Sequence, residues 1–137
     1  MTIDEIRRTA VKPYDEDKFE LIEDYRVNLT VKYKGQDKTL DFIIPAGYKT
    51  NGADIPRCFW SMFPPYRSEY FSAVVIHDYL CDMATSRYDY RIADLALRKA
   101  MKILDCKYKS EIFYWSCHLF HEVKISIYSL FTKIVRW

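Results

Sequence analysis

Glycine and proline are scarce in this chain of 137 residues, which contains three glycines and five prolines. Together with a hydrophobic content of 50%, this scarcity excludes a disordered or low-complexity protein. No run of about 18 uncharged apolar residues occurs, so no transmembrane segment is expected. The net charge is only +2, which is too small to indicate nucleic-acid binding, and no nucleic-acid partner is expected.

Paired cysteine motifs are also absent. The four cysteines are Cys58, Cys81, Cys106 and Cys117, and no two of them form a Cys-x-x-Cys pair. This spacing excludes zinc-ribbon and thioredoxin motifs. The first residues lack the charged-then-apolar pattern of a secretory signal. We therefore expect buried thiols in a reducing cytoplasm rather than a disulfide framework.

The first half of the chain has the alternation of half-buried strands. Apolar residues alternate with polar neighbours and are interrupted by a turn over residues 34–37, which predicts a hairpin. The alternating apolar positions are Phe19, Leu21, Val27, Leu29, Val31, Tyr33, Leu40, Phe42 and Ile44.

The second half has helical periodicity. We predict helices over about residues 68–83, 86–104 and 110–133, because capping residues precede apolar faces of period 3.6. Asp94 lies about 100° from the centre of the small-residue face of the second helix, so it is expected to reach a neighbouring helix. The third helix is expected to cover the sheet with its apolar face.

These patterns predict one α+β domain over residues 1–137. A small N-terminal antiparallel sheet of about three to four strands would pack against three or four C-terminal helices, the last one long. The strand-rich part covers 17–50, a loop covers 51–68, and the helical part covers 69–135.

A series of short motifs follows in order along the chain. They are Pro-Ala-Gly-Tyr at 45–48, Thr-x-Gly-Ala-x-x-Pro-Arg at 50–57, Phe-Trp at 59–60, His-Asp-Tyr-Leu at 77–80, Ala-Asp at 93–94 and Ala-Met at 100–101. This order resembles an uncharacterised family of phage and prophage domains. The resemblance implies a phage or prophage origin, with a location in the cytoplasm of the infected bacterium or in the phage particle, and it implies no established activity. The chain departs from the family pattern at Asn51, Asp54 and Cys81, where the family prefers Asp, Ser and Tyr.

His77 and Asp78 are adjacent ionisable residues in an apolar segment, where a buried polar group needs a partner. Neighbouring helical side chains point about 100° apart, so each requires a different partner. In one hypothesis His77 is a general base oriented by Asp94. Asp78 would then hold a hard cation such as Ca²⁺ together with Asn51 and Asp54. This arrangement resembles the His-Asp helix of phospholipases A2 and predicts a metal-assisted hydrolase.

The alternative interpretation of the same residues is structural. His77 and Asp78 would tie the loop to the helices through backbone groups. In that loop, Gly52, Pro56 and Arg57 would have a structural role, because proline suits the first turn of a short helix. The protein would then be a non-catalytic virion component or a host-factor binder.

The C-terminal helix carries two further patterns. His118-x-x-His121-Glu122 has the spacing of helical metal ligands, but it falls on a polar stripe, so a solvated face is expected. Lys124 interrupts the apolar face, and five basic residues against two acidic ones follow Cys106. The same helix could therefore bind a protein partner, a second copy of the chain, or a membrane surface.

Overall fold

A computed structural model describes residues 6, 9–15, 18–50, 70–104 and 106–135. Within these ranges five strands precede three helices. They are β1 (Val11–Asp15), β2 (Lys18–Leu21), β3 (Tyr25–Tyr33), β4 (Gln36–Ile44), β5 (Lys49–Thr50), α1 (Phe71–Met83), α2 (Arg87–Ile103) and α3 (Lys107–Val135). The predicted α+β class and the long last helix are confirmed. The described strands form two antiparallel sheets, β1-β2-β5 and β3-β4, rather than one sheet of three or four strands.

Several residues singled out in the sequence lie outside the described ranges. They are Asn51, Gly52, Asp54, Pro56, Arg57 and Cys58.

The β3–β4 hairpin follows directly from its turn residues. Lys34 and Gly35 both have positive φ, 50° and 79°, and they connect the paired residues Tyr33 and Gln36. Two consecutive positive φ angles are typical of a type I′ turn, whose twist matches that of the flanking strands. The alternation of β3 therefore sends Val27, Leu29 and Val31 into the core.

Helix α2 occupies the centre of the helical layer. It packs against α1, α3 and β3. The buried face contains Ala93, Ala96 and Ala100, and these small side chains let neighbouring helices approach closely. The expectation that α3 covers the sheet is wrong, since α2 takes that position and α3 lies along α2 with only slight contact with the described strands.

The two halves of α3 differ in burial. Ser110, Phe113, Cys117 and His121 are buried at spacings of three to four residues. Beyond His121 the apolar face is exposed, by 48% at Val123, 62% at Ile127, 60% at Leu130 and 64% at Phe131. No helix within the described residues is long and apolar enough to cross a membrane.

A capping motif begins α2 at the position that the sequence predicts. The hydroxyl of Ser86 accepts a hydrogen bond of 3.2 Å from the Asp89 N–H. The Asp89 carboxylate in turn accepts from the Thr85 N–H at 3.0 Å and from its hydroxyl at 3.1 Å. The backbone hydrogen bond from Thr85 holds the pKa of Asp89 below its usual value, against the opposing effect of burial.

Candidate functional site

Asp94 on α2 holds two histidine rings from the other two helices. Its Oδ1 lies 2.8 Å from Nε2 of His77 on α1, and both carboxylate oxygens lie 3.0 Å from Nδ1 of His121 on α3. Two buried thiols, Cys81 and Cys117, lie beside these rings. We refer to these five residues as the Asp94 cluster. Each of them is at most 5% exposed, so the cluster is buried among the three helices.

The ionisation of Asp94 fixes the hydrogen-bonding pattern. Burial raises the pKa of Asp94, but hydrogen bonds from His121 and His77 outweigh burial, so the pKa lies below its usual value. An ionised carboxylate can only accept hydrogen bonds. His77 therefore donates through Nε2 and His121 through Nδ1. In a neutral ring the other nitrogen then carries a lone pair, which places that lone pair on Nε2 of His121.

Cys81 lies one turn after His77 on α1 and points at both rings. Its Sγ is 3.5 Å from Nε2 of His77 and 3.8 Å from Nε2 of His121. Cys117 lies one turn before His121, and its Sγ is within 4.8 Å of the ligand atoms of His77 and Asp94. The cluster thus combines two imidazoles, two thiols and one carboxylate.

One polar atom in the cluster is unsatisfied. Nδ1 of His77 is buried and has no hydrogen-bond partner in the part of the chain that the structure describes. Such an atom usually costs about 1–3 kcal/mol, so native structures rarely keep one without a reason.

The burial of His121 corrects an expectation. The sequence pattern predicts a solvated face at His118-x-x-His121, yet His121 is 2% exposed and contacts Asp94. The cause is the position of α3, whose inward face points at α2 rather than at the sheet. His118 is half-buried and stacks on Tyr114 with ring centroids 5.7 Å apart. The spacing that signals the cluster is a pair of i, i+4 repeats, His77-x-x-x-Cys81 and Cys117-x-x-x-His121.

A pocket of about 300 Å³ reaches the cluster at His121. It lies between the beginning of α2 and the second half of α3, and most of its wall is apolar. The other residues that line it are Thr85, Ser86, Arg87, Tyr90, Lys124, Ile125 and Tyr128. His121 is therefore the cluster residue that a small molecule in this pocket would meet.

Asp78 faces a different element from the Asp94 cluster. Its Oδ2 accepts a hydrogen bond from the Thr50 hydroxyl, which ties α1 to β5. This contact agrees with the expectation that adjacent His77 and Asp78 take different partners. The cation site predicted at Asp78 depends on Asn51 and Asp54, which are outside the described residues.

The chain belongs to the family described as "Protein of unknown function (DUF1353)", whose model matches residues 25–117. It is also 43% identical over 44 residues to the "Uncharacterized protein y4jT" of Sinorhizobium fredii. That similarity covers 31% of this chain and only 13% of the length of the relative. No solved structure matches the chain. The family match includes His77 and Asp94 but ends before His121.

Proposed function

We propose that this protein is a small hydrolase that activates a water molecule at His121. The observation that carries the proposal is that one histidine both lines a pocket and is held by a buried, ionised carboxylate. Catalytic bases need a fixed orientation and a tuned environment, and such perturbed groups in a cavity are typical of active sites.

Asp94 would determine how His121 acts. By accepting the Nδ1 hydrogen, it keeps Nε2 able to take a proton from water. The carboxylate would stabilise the positive ring that results, in a site of low dielectric. The hydroxide formed would attack an ester or amide carbonyl carbon. The bond to the leaving oxygen or nitrogen would then break, and His121 would return the proton to that atom.

His77 takes a supporting role in this proposal. The sequence hypothesis made His77 the general base with Asp94 as its orienting group. His77 does contact Asp94 at 2.8 Å, but it is fully buried, whereas His121 borders the pocket. His77 is therefore proposed as a positioning residue that shares the carboxylate with His121.

Ester hydrolysis by purified protein tests the proposal. Chromogenic esters with short and medium acyl chains would be assayed with the wild type, His121→Gln and His118→Gln. We expect His121→Gln to lower kcat about 10²–10⁴-fold, the usual contribution of a general base. His118→Gln is the matched control on the same helix, outside the cluster, and should keep full activity. Equal rates for wild type and His121→Gln on every ester would refute the proposal.

A second candidate function is non-catalytic, with a role in the phage particle or in binding a host factor. The exposed apolar face at the second half of α3 favours it. The phage or prophage origin, and a location in the infected cell or the particle, belong to this proposal and rest on the motif order. Self-association measured by sedimentation tests the homo-oligomer form. A dimer that Ile127→Glu dissociates would support it, and a monomer at high concentration would count against it.

A further inference from the structure

We infer that the Asp94 cluster is a binding site for a transition-metal ion of the Zn²⁺ class, with His77, Cys81 and His121 as its ligands. The inference goes beyond the proposed function by naming a cofactor. Metal binding rests on the ligand geometry alone. An ion bound at Nε2 of His121 would occupy the lone pair that the proposed hydrolase uses as its base, so His121 would not act as the base in the metal-loaded protein, where a bound ion supplies the activation of water. That catalytic use of the ion rests on the proposed hydrolase. Family membership does not imply the site, since the family match ends at residue 117, before His121.

The spacing of the ligand atoms fits a tetrahedral ion. Zinc binds nitrogen at about 2.0–2.1 Å and sulfur at about 2.3 Å, so a tetrahedral angle separates the two ligand atoms by about 3.5 Å. Sγ of Cys81 lies 3.5 Å from Nε2 of His77 and 3.8 Å from Nε2 of His121. All three ligand atoms lie within 4.8 Å of one another. Small side-chain rotations would bring them to bonding distance.

The donor chemistry selects the class of metal. Two imidazole nitrogens and a thiolate are ligands that Zn²⁺ prefers, whereas Ca²⁺ and Mg²⁺ take oxygen ligands. The carboxylate of Asp94 also contacts Nδ1 of His121, on the side of the ring opposite Nε2. This carboxylate–histidine contact is the usual support of a metal-binding imidazole, because it fixes the tautomer.

Metal binding would change the protonation of Cys81 and His77. Cys81 would lose its thiol proton to solvent, so one proton is released for each ion bound. Nε2 of His77 would pass its proton to Nδ1 of the same ring through a tautomer change. That Nδ1 is the buried atom without a partner in the described chain, so it is available to carry the proton. Of the three ligands, His121 is the one that also lines the pocket.

Cobalt binding tests the inference without any need for activity. The purified protein would be stripped with a chelator under reducing conditions and titrated with Co²⁺ alone. We expect one equivalent to produce the near-ultraviolet absorption of a cobalt–thiolate bond and the visible bands of a tetrahedral ion. Zn²⁺ should displace the cobalt and raise the melting temperature.

Cysteine variants identify the ligand. Cys81→Ser should abolish the thiolate absorption, while Cys106→Ser, at a buried thiol outside the cluster, should keep it. Cys117→Ser should also keep it, and loss there with retention in Cys81→Ser would overturn the ligand assignment. Asp94→Asn should weaken Zn²⁺ affinity about 10–100-fold, the usual effect of losing such a support. Far-ultraviolet circular dichroism of each variant confirms that it is folded.

The outcomes separate the two proposals. A wild-type protein with no cobalt–thiolate band overturns the metal inference, even if ester hydrolysis requires His121. A cobalt site with the expected variant pattern in a protein that hydrolyses no ester leaves the metal inference standing and removes the hydrolase.

Discussion

Replacing Asp94 with alanine should be among the most destabilising single changes in the helical layer. The change would leave the N–H groups of His77 and His121 without their acceptor in a site that is at most 2% exposed. Each buried unsatisfied donor costs about 1–3 kcal/mol, which gives about 2–6 kcal/mol for the pair. Water entering through the pocket would give the His121 N–H a partial replacement for its acceptor. We therefore expect the free energy of unfolding to fall by about 2–5 kcal/mol. This is a large fraction of the typical domain stability of about 5–15 kcal/mol.

Urea unfolding followed by circular dichroism, in the presence of a chelator, measures the effect. Asp94→Asn keeps one acceptor oxygen, so it should lower the free energy of unfolding by about half as much. It can be measured even if Asp94→Ala is too unstable to study. Asp41→Ala is the matched control, because Asp41 forms an exposed pair with Arg26 at 3.4 Å and such pairs contribute about 0–1 kcal/mol. If Asp94→Ala costs no more than Asp41→Ala, the cluster is not the buried network described here.

Four further changes test other parts of the fold. Ser86→Ala should cost about 0.5–2 kcal/mol in urea unfolding by removing the cap of α2, and no cost would show that the cap is dispensable. The pKa of Asp89 is lowered in the folded state, so its stabilisation is complete above about pH 4 and is lost as the pH falls through the lowered pKa. The stability gap between wild type and Asp89→Asn should therefore shrink in acid, and a constant gap would contradict this assignment. Phe113→Ala should cost about 3–5 kcal/mol, whereas exposed Trp115→Ala should change stability by about 0.5 kcal/mol or less.

The parts of the fold set by local interactions were predictable. The alternation of β3 and the residues of the 34–37 turn determine the hairpin, since both depend on neighbours in sequence. Ser86 determines the start of α2 for the same reason. The division of the strands into two sheets was not predictable, because it depends on pairings such as Phe19 with Thr50, which are far apart in sequence.

The candidate site was predictable only in part. Helical period puts Asp94 at the edge of its apolar face, and this was enough to expect a contact with His77. The position of His121 depends on which helix covers the sheet, and periodicity within α3 carries no such information. Contact with α2 turns Cys117 and His121 inward, while the apolar side chains of Phe120 and Val123 are 38% and 48% exposed. The i, i+4 repeats of histidine and cysteine were the available signal.

Because the first half of α3 is buried and the second half is exposed, the backbone amides of the two halves should exchange with solvent by different routes. Amides up to His121 belong to the packed core, so their hydrogen exchange should require global unfolding. Amides near Leu130 lie in the half of the helix whose apolar side chains are exposed, and they should exchange through local fraying. An exchange profile along α3 would then report two quantities at once: protection in the first half measures the integrity of the core, and protection in the second half measures whether anything is bound there.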